Sequence, residues 1–191
     1  MSLKQLQPRF IVLLAFILAV GVLRTATAGQ ITAISNFSPV GAMALFGGAY
    51  FSEKWKSYVF PLLTLFISDV LIMKIFFSDL STGLLYDGWI WNYLAVAAMV
   101  LCGQLLIRKV SISNLLIAGI VSAVAHWLIS DLGMWMSSLS IYSHDFNGLL
   151  ECYIAAIPFM KNMMIANLVY GAIMFFGFEY TKARYPVLAQ A

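Results

Sequence analysis

Two strings in this chain place a carboxylate within a long apolar run: Ile67-Ser68-Asp69 and Ile129-Ser130-Asp131. A charged Asp at the centre of a membrane helix costs about 2.5–3.5 kcal/mol on insertion scales, so it points to a partner or a ligand. With a helical rise of about 1.5 Å per residue, Asp69 lies roughly 18 Å in from Ser57 and Asp131 roughly 28 Å in from Ile112. His126, roughly 21 Å in by the same count, reaches nearly the depth of Asp69. An Asp69–His126 contact between the two runs is one reading. A lone His126 donating to a backbone carbonyl is the other. Either way, carboxylates and an imidazole at this depth offer charge and directed hydrogen bonds to a guest.

Other polar groups fall in the same half of the runs: Asn36, Ser38, Asn92, Ser130, Asn162 and Asn167. Their aromatic neighbours are Trp89, Trp91, Tyr93, Trp127, Trp135 and Tyr153. This mix suits an organic ligand with a flat apolar part and a few hydrogen-bonding groups. An interfacial aromatic belt is the rival reading, stronger for Trp89, Tyr86 and Trp135 than for the deeper Trp91 and Trp127. The candidate ligand-binding set is Asn36, Asp69, Trp91, Asn92, His126, Asp131, Glu151, Asn162 and Asn167, with Asp69 and His126 setting polarity and orienting the guest.

Signatures of other chemistry are missing. There is no Walker A loop for a nucleotide, no HExxH and no GxSxG. His126 and His144 are the two histidines, which rules out a His-rich metal site. A mixed site from Asp69, His126, Asp131 or Glu151 is the remaining metal alternative, and no metal or cofactor is expected. Ser130 with His126 at i, i+4 is the one cheap nucleophile–base pair. A serine in a membrane helix more often serves packing and hydrogen bonding, so no enzyme is expected.

These residues must be held by helices in lipid. Of 191 residues, 62% are hydrophobic and 10% charged, against about 25% charged in a soluble domain. Six apolar runs can be drawn: Phe10–Leu23, Pro39–Phe51, Ser57–Phe77, Gly88–Ile107, Ile112–Met136 and Pro158–Tyr180. Basic residues collect in every second gap. Lys4, Arg9, Lys54, Lys56, Arg108, Lys109, Lys182 and Arg184 fall on one side; Arg24, Lys74 and Lys161 fall on the other. By the positive-inside rule this pattern gives six crossings with both termini cytoplasmic. The expected fold is an all-α membrane protein, one integral domain over 1–191, with six transmembrane helices in a compact bundle in the cell (inner/cytoplasmic) membrane. The net charge of +3 belongs to loop residues and implies no nucleic acid.

The inner connections, Ser52–Lys56 and Arg108–Ser111, are short. The outer ones, Arg24–Ser38, Ser78–Asp87 and Ser137–Ile157, are longer, and long loops on one face are often functional. The first run, with Lys4 and Arg9 before it and Ala26-Thr27-Ala28 after it, reads either as a cleavable signal peptide or as an uncleaved helix. Arg24 interrupts the signal pattern and favours the helix. Cys102 and Cys152 fall on opposite sides of the bundle, which disfavours a disulfide between them. In the second run Gly41, Ala44 and Gly48 share a helical face that admits a neighbouring backbone. Ala15 and Ala19 give the first run a small-xxx-small spacing.

Three blocks carry a resemblance. Residues 36–51 (Asn36-Phe37-Ser38-Pro39-Val40-Gly41-Ala42-Met43-Ala44-Leu45-Phe46-Gly47-Gly48-Ala49-Tyr50-Phe51), Leu65-Phe66-Ile67-Ser68-Asp69, and Glu151-Cys152-Tyr153-Ile154-Ala155-Ala156-Ile157-Pro158-Phe159 with Asn162 resemble an uncharacterised family of small bacterial membrane proteins. That family is similar, in size, helix number and topology, to the substrate-binding S components of energy-coupling-factor vitamin transporters. The resemblance implies a six-helix bundle that captures a micronutrient from outside. It also implies docking on a transmembrane coupling protein driven by ATPase subunits, through an Ala-xxx-Ala pattern that Ala15 and Ala19 match. The expected function is therefore binding and uptake of a small vitamin-like molecule, as such a subunit or as a solitary transporter. The alternative is a membrane scaffold with no small-molecule ligand and a filled outer half.

Overall fold

The computed structural model describes residues 8–26, 36–77 and 83–189. Six α-helices follow one another: α1 (Pro8–Ala26), α2 (Val40–Tyr50), α3 (Lys54–Phe76), α4 (Trp89–Leu106), α5 (Ile112–Met136) and α6 (Phe146–Arg184). A short 3₁₀ turn at Pro186–Ala189 ends the described chain. No strand occurs among the described residues. Four helices, α3 to α6, are long and apolar enough to cross a membrane, while Phe10–Thr25 and Val40–Tyr50 are shorter apolar helices.

The shortest helix is the most enclosed. α2 buries ten of its eleven residues and packs against each of the other five helices. Its sequence, Val-Gly-Ala-Met-Ala-Leu-Phe-Gly-Gly-Ala-Tyr, is apolar all round, as a helix surrounded by others must be. Two glycines let it in. A Cβ at Gly48 would stand 3.1 Å from the Gly103 Cα of α4, and a Cβ at Gly103 would meet the Leu45 backbone at 2.9–3.0 Å. The two main chains are therefore in direct contact, the close approach that small residues permit. At eleven residues α2 rises only about 16 Å, roughly half the ~30 Å hydrocarbon core of a bilayer.

The outside of the molecule is greasy. Ile67, Leu71, Ile75, Leu94, Leu101, Leu105, Ile117 and Ile173 are all more than two-fifths exposed. A water-soluble surface does not present such a continuous apolar coat, whereas lipid chains match it.

One expected boundary is wrong. The stretch Ser137–Ile157, read as a single outer loop, is helical from Phe146. The Asp145 carboxylate accepts from Gly148 N at 2.8 Å, which caps the new helix. That bond, with a second from Ser143 Oγ, holds the Asp145 carboxyl below the usual carboxylate range. α6 then runs 39 residues through Pro158, about 58 Å and nearly twice a bilayer core. α5 starts similarly: Ser111 Oγ accepts from Asn114 N at 3.2 Å, an N-cap bond.

The bundle has two unlike ends. At the end formed by the start of α1, the end of α2 and the end of α6, Phe16, Phe46, Tyr50, Phe175 and Phe178 interlock with ring centroids 4.5–6.3 Å apart. Tyr50 Oη donates to Glu179 Oε1 at 2.7 Å, and Lys182 Nζ lies 2.6 Å from Glu179 Oε2. This end is solid. The other end is hollow.

Candidate functional site

The hollow end encloses a cavity of about 490 Å³. It lies between the C-terminus of α1, the entry to α2, the loop and first turns of α4, the second half of α5 and the first half of α6. Asn36, in the left-handed backbone region with φ 66°, stands on its wall before α2; Asn tolerates that conformation better than most residues. Gly88, with φ 73°, turns the chain into α4 just after Asp87.

A single hydrogen-bonded line crosses the wall. Asn92 Nδ2 donates to Tyr86 Oη at 2.7 Å. Asn92 Oδ1 lies 3.0 Å from His126 Nε2, so with this amide orientation Nε2 carries the ring proton and donates it. His126 Nδ1 is 3.3 Å from Ser130 Oγ. Ser130 Oγ also lies 2.8 Å from the His126 carbonyl and 3.2 Å from Asp131 Oδ2. Tyr86, Asn92, His126, Ser130 and Asp131 all face the cavity. The line links the loop before α4, α4 itself and α5 into one polar strip. Burial, then the charge of Asp69, pushes the Tyr86 hydroxyl up to about 12, so it stays a neutral donor and acceptor. At the rim Ser137 Oγ donates to Asp87 Oδ2 at 3.2 Å.

Aromatic and thioether groups supply the rest. Trp91 packs on Gly133, where a Cβ would meet Trp91 Cδ1 at 2.5 Å. Trp127 is steered by its Nε1–H, which donates to the Tyr153 carbonyl at 3.2 Å. Phe159, Met134, Met160 and Met163 complete the apolar lining.

Asp69 has a different place. It is 2% exposed and off the cavity wall. Its Oδ1 is 2.5 Å from Arg24 Nη2, and its Oδ2 accepts from Tyr93 Oη at 3.0 Å. Arg24 Nη1 donates to Ser68 Oγ at 2.8 Å. The ion pair joins α1 to α3, with α4 adding Tyr93. No Asp69–His126 contact forms, because each has a nearer partner: Arg24 for one and Asn92 for the other.

Of the nine predicted residues, Asn36, Trp91, Asn92, His126 and Asp131 are brought together around the cavity. Asp69 lies behind the wall. Glu151 is exposed on the outside of α6. Asn162 is half-buried on α6 and does not reach the cavity. Asn167 is a helix tie: Nδ2 donates to Ser122 Oγ at 3.1 Å and to the Gly119 carbonyl at 3.3 Å, while the side chain rests against Gly41. Ala15 and Ala19 lie exposed on one stripe of α1 with Ile11, Leu18 and Val22.

Arg24, Tyr86 and Asp87 line the cavity but fall outside the predicted ligand-binding set. The readable signal was charge scarcity: Arg24 is a lone cation at the end of an apolar run, and Asp69 is a lone anion in another. Among the described residues no three His, Cys, Asp or Glu side chains group to hold a metal ion. No curated protein and no solved structure matches the chain. The chain belongs to a family of unknown function (DUF6580), which matches residues 4–188.

Proposed function

We propose that this protein binds a small organic, vitamin-like molecule in the cavity and takes part in its uptake across the cell membrane, as a subunit similar to the S components or as a solitary transporter. The observation that carries the reading is the cavity itself. At about 490 Å³ it falls among small-molecule sites, which run from about 300 to 1,000 Å³ with an apolar lining and few polar groups. A scaffold without a ligand calls for a filled interior at this end. In this protein filling is found at the other end.

In this reading six helical segments cross the membrane, with both termini cytoplasmic. The short α2 crosses with help from the non-helical residues on either side of it. Lys54, Lys56, Arg108, Lys109, Lys182 and Arg184 then lie at the solid, cytoplasmic end, and the cavity opens outward. The exposed Ala15–Ala19 stripe of α1 supports contact with a transmembrane coupling protein, whose ATPase partners would supply energy. No bond-breaking step is assigned. Ser130 lies closer to the carbonyl of its own helix than to His126 Nδ1, the ordinary habit of a helical serine.

The test is mass spectrometry of small molecules extracted from the full chain purified in lipid nanodiscs. A stoichiometric compound that disappears in His126→Ala and Asn92→Leu supports the reading. Retention of the same compound by both variants, or no compound together with no stabilisation by a vitamin panel, overturns it.

A further inference from the structure

Asp131 reaches the cavity, and among the described residues no cation pairs with it. Its Oδ2 accepts from Ser130 Oγ at 3.2 Å. Among the described residues Arg24 is the one lysine or arginine on the wall, and Asp69 already matches it. The segments 27–35 and 78–82 contain no Lys, Arg or His, so they cannot supply the missing charge. Arg9 stands at the far end of α1, about 22 Å from Arg24 by helical rise. His126 presents Nε2–H to Asn92 and Nδ1 to Ser130, the pattern of a neutral ring. Asp87 adds a second carboxylate at the rim. The wall thus carries two acids with no balancing base.

The neighbouring lining suits a cation. Trp91 and Trp127 share the cavity lining with Asp131, Trp91 pressed onto Gly133 and Trp127 one turn before Asp131 on α5. Indole faces attract ammonium and onium groups, most strongly where water is excluded. A cavity that holds both a carboxylate and indole rings offers such a group charge and ring quadrupole together.

We propose that the ligand carries a positive charge, a protonated amine or a fixed onium group on an aromatic or apolar frame, and that Asp131 is its counter-ion. The inference rests on the binding reading above and deepens it. It explains why a lone acid persists in an otherwise apolar helix: the guest completes the pair.

The experiment is calorimetric titration of the full chain in nanodiscs with three probes on one frame: tryptamine (cationic), 3-propylindole (neutral) and indole-3-propionate (anionic). Tryptamine should bind about tenfold tighter than 3-propylindole, with the anion weakest. Asp131→Asn should remove the tryptamine advantage while 3-propylindole changes by no more than about twofold. Asp131→Glu, which keeps the charge, should keep the order and guards against loss through misfolding. Equal binding of the three, or a cation preference that survives Asp131→Asn, overturns the charge assignment and leaves the binding reading standing. Binding by none of the three overturns the assignment, and with no co-purifying compound it overturns the binding reading as well.

Discussion

Arg24 Nη2 stands 2.5 Å from Asp69 Oδ1, an ion pair between α1 and α3 with Arg24 on the cavity wall and Asp69 just behind it. Asp69 is nearly sealed while Arg24 is about one-fifth exposed. Removing one partner therefore leaves an uncompensated charge in a poor solvent for it. Loss of one member of such a pair costs about 3–5 kcal/mol, whereas an apolar replacement of both is often neutral. Asp69→Leu and Arg24→Met should each lower the thermal midpoint of the purified protein markedly, and the double variant should recover most of the loss. Strictly additive losses in the double variant would show that the two charges do not serve each other.

Asn92 is the hinge of the polar strip, giving its amide protons to Tyr86 and its oxygen to His126. Asn92→Leu leaves both partners short of a hydrogen bond, each costing about 1–3 kcal/mol if it stays dry. The expected result is loss of ligand retention at least as large as in Tyr86→Phe, which removes the phenol group alone. Undiminished retention in Asn92→Leu would detach the strip from binding.

The Tyr86 hydroxyl offers a pH readout. Burial and the nearby Asp69 charge raise it to about 12, against about 10 for a free tyrosine. The folded state holds this proton more tightly than the unfolded chain. Its contribution to stability is therefore complete below pH 10 and is lost as pH climbs through about 12. Phenolate absorbance of wild type minus Tyr86→Phe should stay flat through pH 10 and rise only beyond it. A difference spectrum centred near pH 10 would mean that Tyr86 is open to water.

Much of the architecture was legible, because lipid leaves few options. Apolar runs drew all six helices, and α5 has the same bounds in both readings. The start of α6 is not legible because its first turns keep no apolar signature: Asn147, Glu151 and Tyr153 read as loop chemistry. The cap at Asp145 with Gly148 three residues on was the sign to read. In the site, Asn36, Trp91, Asn92, His126 and Asp131 converge because depth along a helix is readable by counting residues. Rotation about the helix axis is not. That missing angle is why Asp69 was assigned to the cavity when it turns to Arg24, and why Asn167 was assigned there when it turns to Ser122 and Gly119.

The contact of α2 with α4 is a matter of backbone. Gly48→Ala places a methyl group 3.1 Å from Gly103 Cα and 3.0 Å from Gln104 N, with main chain on both sides and nothing free to rotate away. Overpacking of this kind costs about 1–3 kcal/mol or more. Gly83→Ala is the matched control, since nothing lies within 4 Å of the added carbon. Gly48→Ala should lower the thermal midpoint clearly and Gly83→Ala should leave it within error. Equal midpoints would mean that the two helices can slide apart without loss.

Gly133 bears on the site more directly, because the obstacle to a side chain there is Trp91 itself. A methyl group at this position would meet Trp91 Cδ1 at 2.5 Å, so the indole must move. Two directions are open to it: into the cavity, or outward with loss of its place on the wall. Both reduce the space or the surface offered to a guest, and neither disturbs the solid end of the bundle. Gly133→Ala should therefore weaken ligand binding about tenfold or more while shifting the thermal midpoint much less than Gly48→Ala does. Adding Trp91→Leu removes the clash but also the ring. If the indole contributes binding surface, Trp91→Leu alone should be weak, and Gly133→Ala should do no further harm in that background. Such non-additivity is what two residues in contact give in a double-mutant cycle. Full additivity would place the effect of Gly133→Ala elsewhere than on Trp91.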